Sequence, residues 1–197
     1  MEQKRWSNQW GRWALTAGAL VISAGAVAAP PSPAMLANAC AGCHGTYGGS
    51  AGPAMPSLAG QSKEAIVVAM QKFKSGERPS TVMGRLAKGY TDADFAAMGA
   101  FFAGQKLHPT QQTLNPARVA RGASLQEANC SRCHLEDGKE GKDDTPAMAS
   151  QWLPYLEMQM ALYLEGKRKM PEKMAEKVKP LSVEDLEALL HYYASVK

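Results

Sequence analysis

The sequence predicts an all-α fold made of two tandem copies of one small helical domain, and three observations predict it. Cys40-Ala41-Gly42-Cys43-His44 recurs as Cys130-Ser131-Arg132-Cys133-His134, displaced by 90 residues. The same displacement carries Pro56 onto Pro146, Ala59 onto Ala149, Gln61 onto Gln151, Met70 onto Met160, Phe73 onto Tyr163 and Gly76 onto Gly166. Around both motifs the apolar residues fall at helical spacing, and the chain reads as helices and little else.

Lys4, Arg5 and Arg12 precede an uncharged apolar run from Ala14 to Ala29, the layout of a secretory signal peptide. The run is about four residues short of the roughly 20 that cross a bilayer, and Pro30, Pro31 and Pro33 follow. Ala26-Val27-Ala28 has the small-x-small cleavage pattern, so residues 1–28 are expected to be removed on export to the periplasm. An uncleaved membrane anchor is the alternative; either way the remaining 169 residues face an oxidising space. Their charge is nearly balanced, with seven Lys/Arg against four Asp/Glu in residues 29–109 and twelve against thirteen in residues 110–197. Neither half has the basic field that nucleic acid requires.

In the first copy, residues 34–41 are expected as a helix leading into the Cys/His motif, 45–56 as a loop, 62–75 as a helix and 92–103 as the closing helix. In the second, residues 117–131, 136–146, 153–165 and 183–195 take the same parts. Thr91 and Ser182, each with an acid three residues on at Asp94 and Asp185, read as N-caps of the closing helices. Residues 107–116 lack apolar periodicity and contain Pro109 and Pro116, which makes them a linker between domains of residues 29–106 and 117–197. His108 goes with that linker, Trp152 with core packing, and His191 with packing or the surface.

Four cysteines in an exported chain ordinarily form two disulfides, but here each pair is spaced C-x-x-C and followed at once by histidine. That is the attachment signature of a c-type haem. Two thiols on one helical turn can add to the two vinyl groups of one haem, and the adjacent imidazole then meets the iron. A zinc site would need further Cys or His ligands, and only His108 and His191 remain; a thioredoxin-like site would need a βαβ setting. Two covalent haems, held by Cys40, Cys43, Cys130 and Cys133 with His44 and His134 on iron, are expected. About 80 residues per copy is small for an apolar core, and a haem supplies a large apolar centre.

The repeat also points to the second axial ligand. After a one-residue insertion the displacement becomes 91, which carries Met83 onto Met174 and Phe101-Phe102 onto Tyr192-Tyr193. Each methionine is expected in a loop before its closing helix, 39 and 40 residues after its histidine. Met170 is a rival to Met174 without a counterpart in the first copy, and core packing is the ordinary role of methionine.

The mature chain resembles tandem class I cytochrome c domains, as in the c-four type dihaem carriers and in the dihaem subunit of flavocytochrome c sulfide dehydrogenase. Phe73-Lys74-Ser75-Gly76-Glu77, the stretch from Ser80 to Tyr90, Gln151-Trp152-Leu153-Pro154-Tyr155-Leu156 and the basic stretch from Lys167 to Met174 are closer to the sulfide dehydrogenase subunit. The free carriers usually have an Asn-Asp-Pro-like element where Arg78-Pro79-Ser80 stands. The resemblance implies two His/Met haems that take electrons from a separate FAD-containing subunit, which oxidises sulfide at its flavin and a redox-active disulfide. A soluble acceptor such as a small cytochrome c would receive them, and FAD is expected only in the partner. A free c-four type carrier to a terminal oxidase is the alternative, and a dihaem enzyme such as a peroxidase or thiosulfate dehydrogenase is a third. An enzyme would need an unusual ligand or a vacant iron position.

Overall fold

Side-chain caps decide where the helices begin. In the computed structural model, which describes residues 29–141 and 143–197, Ser32 accepts from the Met35 N–H at 3.2 Å to start α1 (Pro33–Asn38). A short α2 (Ala41–His44) carries the first motif, and Ser62, accepting from the Ala65 N–H at 3.1 Å, starts α3 (Lys63–Ser75). After α4 (Met83–Leu86), Thr91 and Asp94 form a reciprocal capping box at the head of α5 (Asp92–Ala103). Asn115 caps α6 (Pro116–Leu125), which runs on into a five-residue π-helix, Gln126–Cys130. Then come α7 (Leu153–Leu164), α8 (Glu172–Val178) and α9 (Val183–Ser195), the last headed by the Ser182/Asp185 capping box that the sequence predicts. The expected signal peptide, residues 1–28, lies outside the described residues.

The fold is helical, as expected, with four local departures. The helix expected over residues 34–41 stops at Asn38, and α2 begins a separate turn. The one expected over 117–131 loosens to π geometry at Gln126, where a buried amide turns toward the motif. Inside the expected loop 136–146, β2 (Glu140–Gly141) pairs antiparallel with β1 (His134–Leu135). Met83 and Met174 lie on the short helices α4 and α8, not in loops.

Residues 31–197 pack as one compact unit around two apolar clusters. Phe95 is fully buried in the first, among Ala37, Ile66, Met70, Met98 and Phe102. Hiding such a ring is worth about 2–3 kcal/mol. Leu156, Leu189, Leu190, Tyr193 and Ala194 form the second. There α6 crosses α9 so closely at Gly122 that a Cβ would stand 2.1 Å from the Ala188 carbonyl oxygen.

The repeat is visible in backbone detail. Gly48 and Gly138 have left-handed φ of 85° and 82°, and each carbonyl accepts two N–H groups, from Leu58 and Ala59 and from Met148 and Ala149. A Cβ on either glycine would strike the ring of Phe102 or Tyr193, at 2.8 and 2.7 Å. At the seam between the halves, the Gln61 side-chain amide donates to the Ala147 carbonyl at 2.8 Å and accepts from the Ala147 N–H at 2.9 Å. Gln151 does the same to Ser57, at 2.9 Å each way. Both glutamines and both partners are repeat equivalents, so the seam closes as a pseudo-twofold pair of clasps.

Candidate haem-binding sites

The first motif is held on one turn: the His44 N–H donates to the Cys40 carbonyl at 2.9 Å and the Cys43 N–H does so at 3.2 Å. Cys40 packs half-buried against the first cluster while Cys43 is exposed, which leaves both thiols free beside the buried His44. His44 Nδ1 donates to the Pro56 carbonyl at 2.9 Å, since a carbonyl can only accept, and Nε2 keeps its lone pair for a metal. Burial lowers the imidazole pKa, and the bond to Pro56 opposes that only in part. The ring is therefore neutral near pH 7, as a ligand must be.

The second motif reaches the same end by another route. Cys130 ends the π-helix and packs against the second cluster, and the Cys133 N–H donates to the Cys130 carbonyl at 3.1 Å. His134 opens β1, and burial alone pulls its imidazole down to about 4. Its Nδ1 is the one buried side-chain polar atom without a hydrogen-bond partner among the described residues. Gln126, 1% exposed, donates to the His134 carbonyl at 2.7 Å and accepts from the Tyr193 hydroxyl, which ties this histidine to α9. Gln126 stands outside the residues that the motifs and the repeat mark as functional. Its signal is the replacement of Leu36, its repeat equivalent, by an amide at a core-facing position.

Met83 packs against the same cluster as Cys40, which brings the proposed ligand and the attachment site to one core. Met174 and Met170 are both half-buried, Met174 on α8 and Met170 just before it. His108 is exposed, its ring lying where a Gly49 Cβ would be, 2.7 Å from Cγ. His191 is buried and packs as expected, with Nδ1 accepting from the Asn115 N–H at 3.3 Å. Trp152 does more than pack: its indole N–H donates to the Ser50 carbonyl across the seam at 3.0 Å.

Each half thus offers two free thiols one turn apart, a neutral imidazole and an apolar wall, the donor set that a covalent haem needs. The family model for cytochrome c matches residues 33–106, and that for cytochrome c oxidase, cbb3-type, subunit III matches residues 117–192. Cytochrome c4 of Pseudomonas aeruginosa is 30% identical over 188 residues, covering 88% of this chain and 90% of its own. The chain belongs to the dihaem cytochrome c4 family. A cytochrome of this type is an electron-transfer protein with two class I cytochrome c domains and two covalent haem c groups. The reduced recombinant cytochrome c4 of Pseudomonas stutzeri superposes with a TM-score of 0.70 at 26% identity, over 81% of this chain and 94% of that one. The cytochrome subunit of sulfide dehydrogenase from Chlorobaculum tepidum is 49% identical over 47 residues, 24% of this chain and 43% of that protein. No helix among the described residues is long and apolar enough to cross a membrane.

Proposed function

We propose that this c4-type cytochrome is the periplasmic electron-transfer subunit of a sulfide dehydrogenase, taking electrons from an FAD-containing subunit and passing them to a soluble acceptor such as a small cytochrome c. What supports the assignment is a local match, 49% identity over 47 residues with the sulfide dehydrogenase cytochrome subunit, set within the 30% identity over 188 residues shared with cytochrome c4. In this reading Cys40 and Cys43 hold one haem and Cys130 and Cys133 the other. His44 with Met83 would ligate one iron, and His134 with Met174 the other. The haems supply a one-electron centre, and the soft thioether ligands hold the potential high enough to accept electrons from a flavin. Residues 1–28 act as the export signal, and residues 29–106 and 117–197 are the two haem domains, joined by 107–116.

Similarity to cytochrome c4 along 88% of the chain supports a second reading, a free carrier to a terminal oxidase. Purification from the native source separates the two. A dehydrogenase subunit co-elutes with a flavin-containing chain at low and moderate salt, and sulfide reduces its haems rapidly only when that chain is present. A cytochrome that elutes alone, and whose reduction by sulfide no flavoprotein accelerates, is the free carrier instead.

A further inference from the structure

The two repeat-equivalent histidines are fixed in different ways. His44 is held by its ring, whose Nδ1–H donates to the Pro56 carbonyl at 2.9 Å. Pro146 takes the place of Pro56 in the second copy, yet His134 Nδ1 is buried and has no hydrogen-bond partner among the described residues. His134 is held by its backbone instead. Its carbonyl accepts from Gln126 Nε2 at 2.7 Å, and Gln126 Oε1 accepts from the Tyr193 hydroxyl. The Tyr193 ring also flanks the imidazole, with centroids 5.9 Å apart and planes inclined by 58°.

Packing alone does not ask for these polar side chains. Leu36 and Phe102 occupy the equivalent positions of the first half, both on its apolar cluster, and fill them with hydrocarbon. Gln126 and Tyr193 are 1% and 3% exposed, and a buried amide or phenol without a partner is costly, so each side chain satisfies the other. The pair begins where the backbone widens, since the π-helix Gln126–Cys130 has no counterpart before Cys40. It joins the helix that carries Cys130 to α9 and to the His134 backbone.

An imidazole that donates its ring N–H to an acceptor gains basicity at the other nitrogen, and a more basic axial ligand favours ferric iron. His44 has such an acceptor, and His134 has none among the described residues. We infer that Gln126 and Tyr193 are positioning residues for His134. By clamping its carbonyl and flanking its ring they keep Nδ1 unpaired, which makes His134 the weaker donor and raises the midpoint potential of its iron above the value that the first half's Leu/Phe pair would give. The inference rests on His44 and His134 being the axial histidines of the two haems.

NMR of the reduced wild-type holo-protein gives the first test. Two sets of imidazole signals shifted by a haem ring current establish both histidines as ligands independently of the brace, and a missing set would refute that ligation and the inference with it. The ring N–H of His44 is expected at a hydrogen-bonded position, downfield of that of His134. Two ring N–H signals at like, hydrogen-bonded positions would overturn the inference, whether or not any variant folds. The second test swaps in the first half's own residues, Gln126→Leu and Tyr193→Phe, singly and together. Each variant is expected to keep two haems per chain, to lower the midpoint potential of the haem on Cys130 and Cys133, and to move the ferric methyl resonances of that haem. The haem on Cys40 and Cys43 should keep its wild-type values. An unchanged potential and unchanged methyl resonances in the double variant, or equal changes at both haems, would overturn the positioning role.

Discussion

Burial moves the donors around each haem site in opposite directions. It raises the Cys40 and Cys130 thiols and lowers the His44 and His134 imidazoles, so all four are neutral near pH 7 before attachment. The proposed methionine ligands are tested one at a time. Met83→Ala and Met174→Ala should each remove about half of the weak sulfur-to-iron charge-transfer band of ferric His/Met haem, while Met170→Ala leaves it whole. A full band in both of the first two variants would refute the pairing. The capping boxes give a pH prediction. Asp94 is held below the usual carboxylate range by the Thr91 N–H first and the Thr91 hydroxyl second. A depressed folded pKa means stability that is present above the unfolded value, roughly 4, and lost as pH falls through the folded one. Asp94→Asn should therefore unfold at lower temperature than wild type at pH 7, with the gap closing in acid. Thr91→Ala, which removes the cap itself, should cost about 1 kcal/mol.

At the scale of elements, the two glutamine clasps join one half to the other through buried backbone groups. Gln151 is 2% exposed and Gln61 6% exposed, and each satisfies both the N–H and the C=O of one residue across the seam. Gln61→Leu should strand the Ala147 pair and cost about 1–3 kcal/mol. Amide hydrogen exchange should rise at Ala147 in that variant and at Ser57 in Gln151→Leu. Exchange unchanged at both positions would mean that other contacts close the seam. Trp152 and Gln112 reinforce it from the sides. Gln112, within the stretch expected as a linker, donates to the Gln151 carbonyl at 2.9 Å and accepts from the Leu153 N–H at 2.8 Å, which anchors a stretch without helix or strand to the start of α7.

At the scale of the whole molecule, all four cysteines fall in attachment motifs and none is left over. The intact holo-protein should therefore exceed the mass of its polypeptide by two haems and show no free thiol by alkylation. A gain of one haem, or a mass matching two disulfides, contradicts the two-haem architecture. The cleaved polypeptide would carry a formal charge of +2, the +4 of the full chain less three basic residues and one acidic residue in residues 1–28. So weak a field gives little long-range steering, and a lasting complex with a flavoprotein would have to rest on buried area, on the order of 1,200–2,000 Å², more than on charge.

The sequence by itself determined the features that are local or repeated. The C-x-x-C-H spacing is confined to one turn, the capping boxes to four residues, and α5 and α9 begin and end where their caps and periodicity place them. The 90-residue displacement revealed two copies without any structure. Only the tertiary structure decided how the copies meet. That Gln61 and Gln151 reach across to each other's half, and that Arg78 and Arg168 converge on Gln159, depends on residues some 80 to 95 positions apart being brought to one seam. A repeat marks those side chains as equivalent but not as neighbours. The same limit hid Gln126, whose partners on β1 and α9 become adjacent only after packing, and the short helices under Met83 and Met174, which are too brief to show a period of their own.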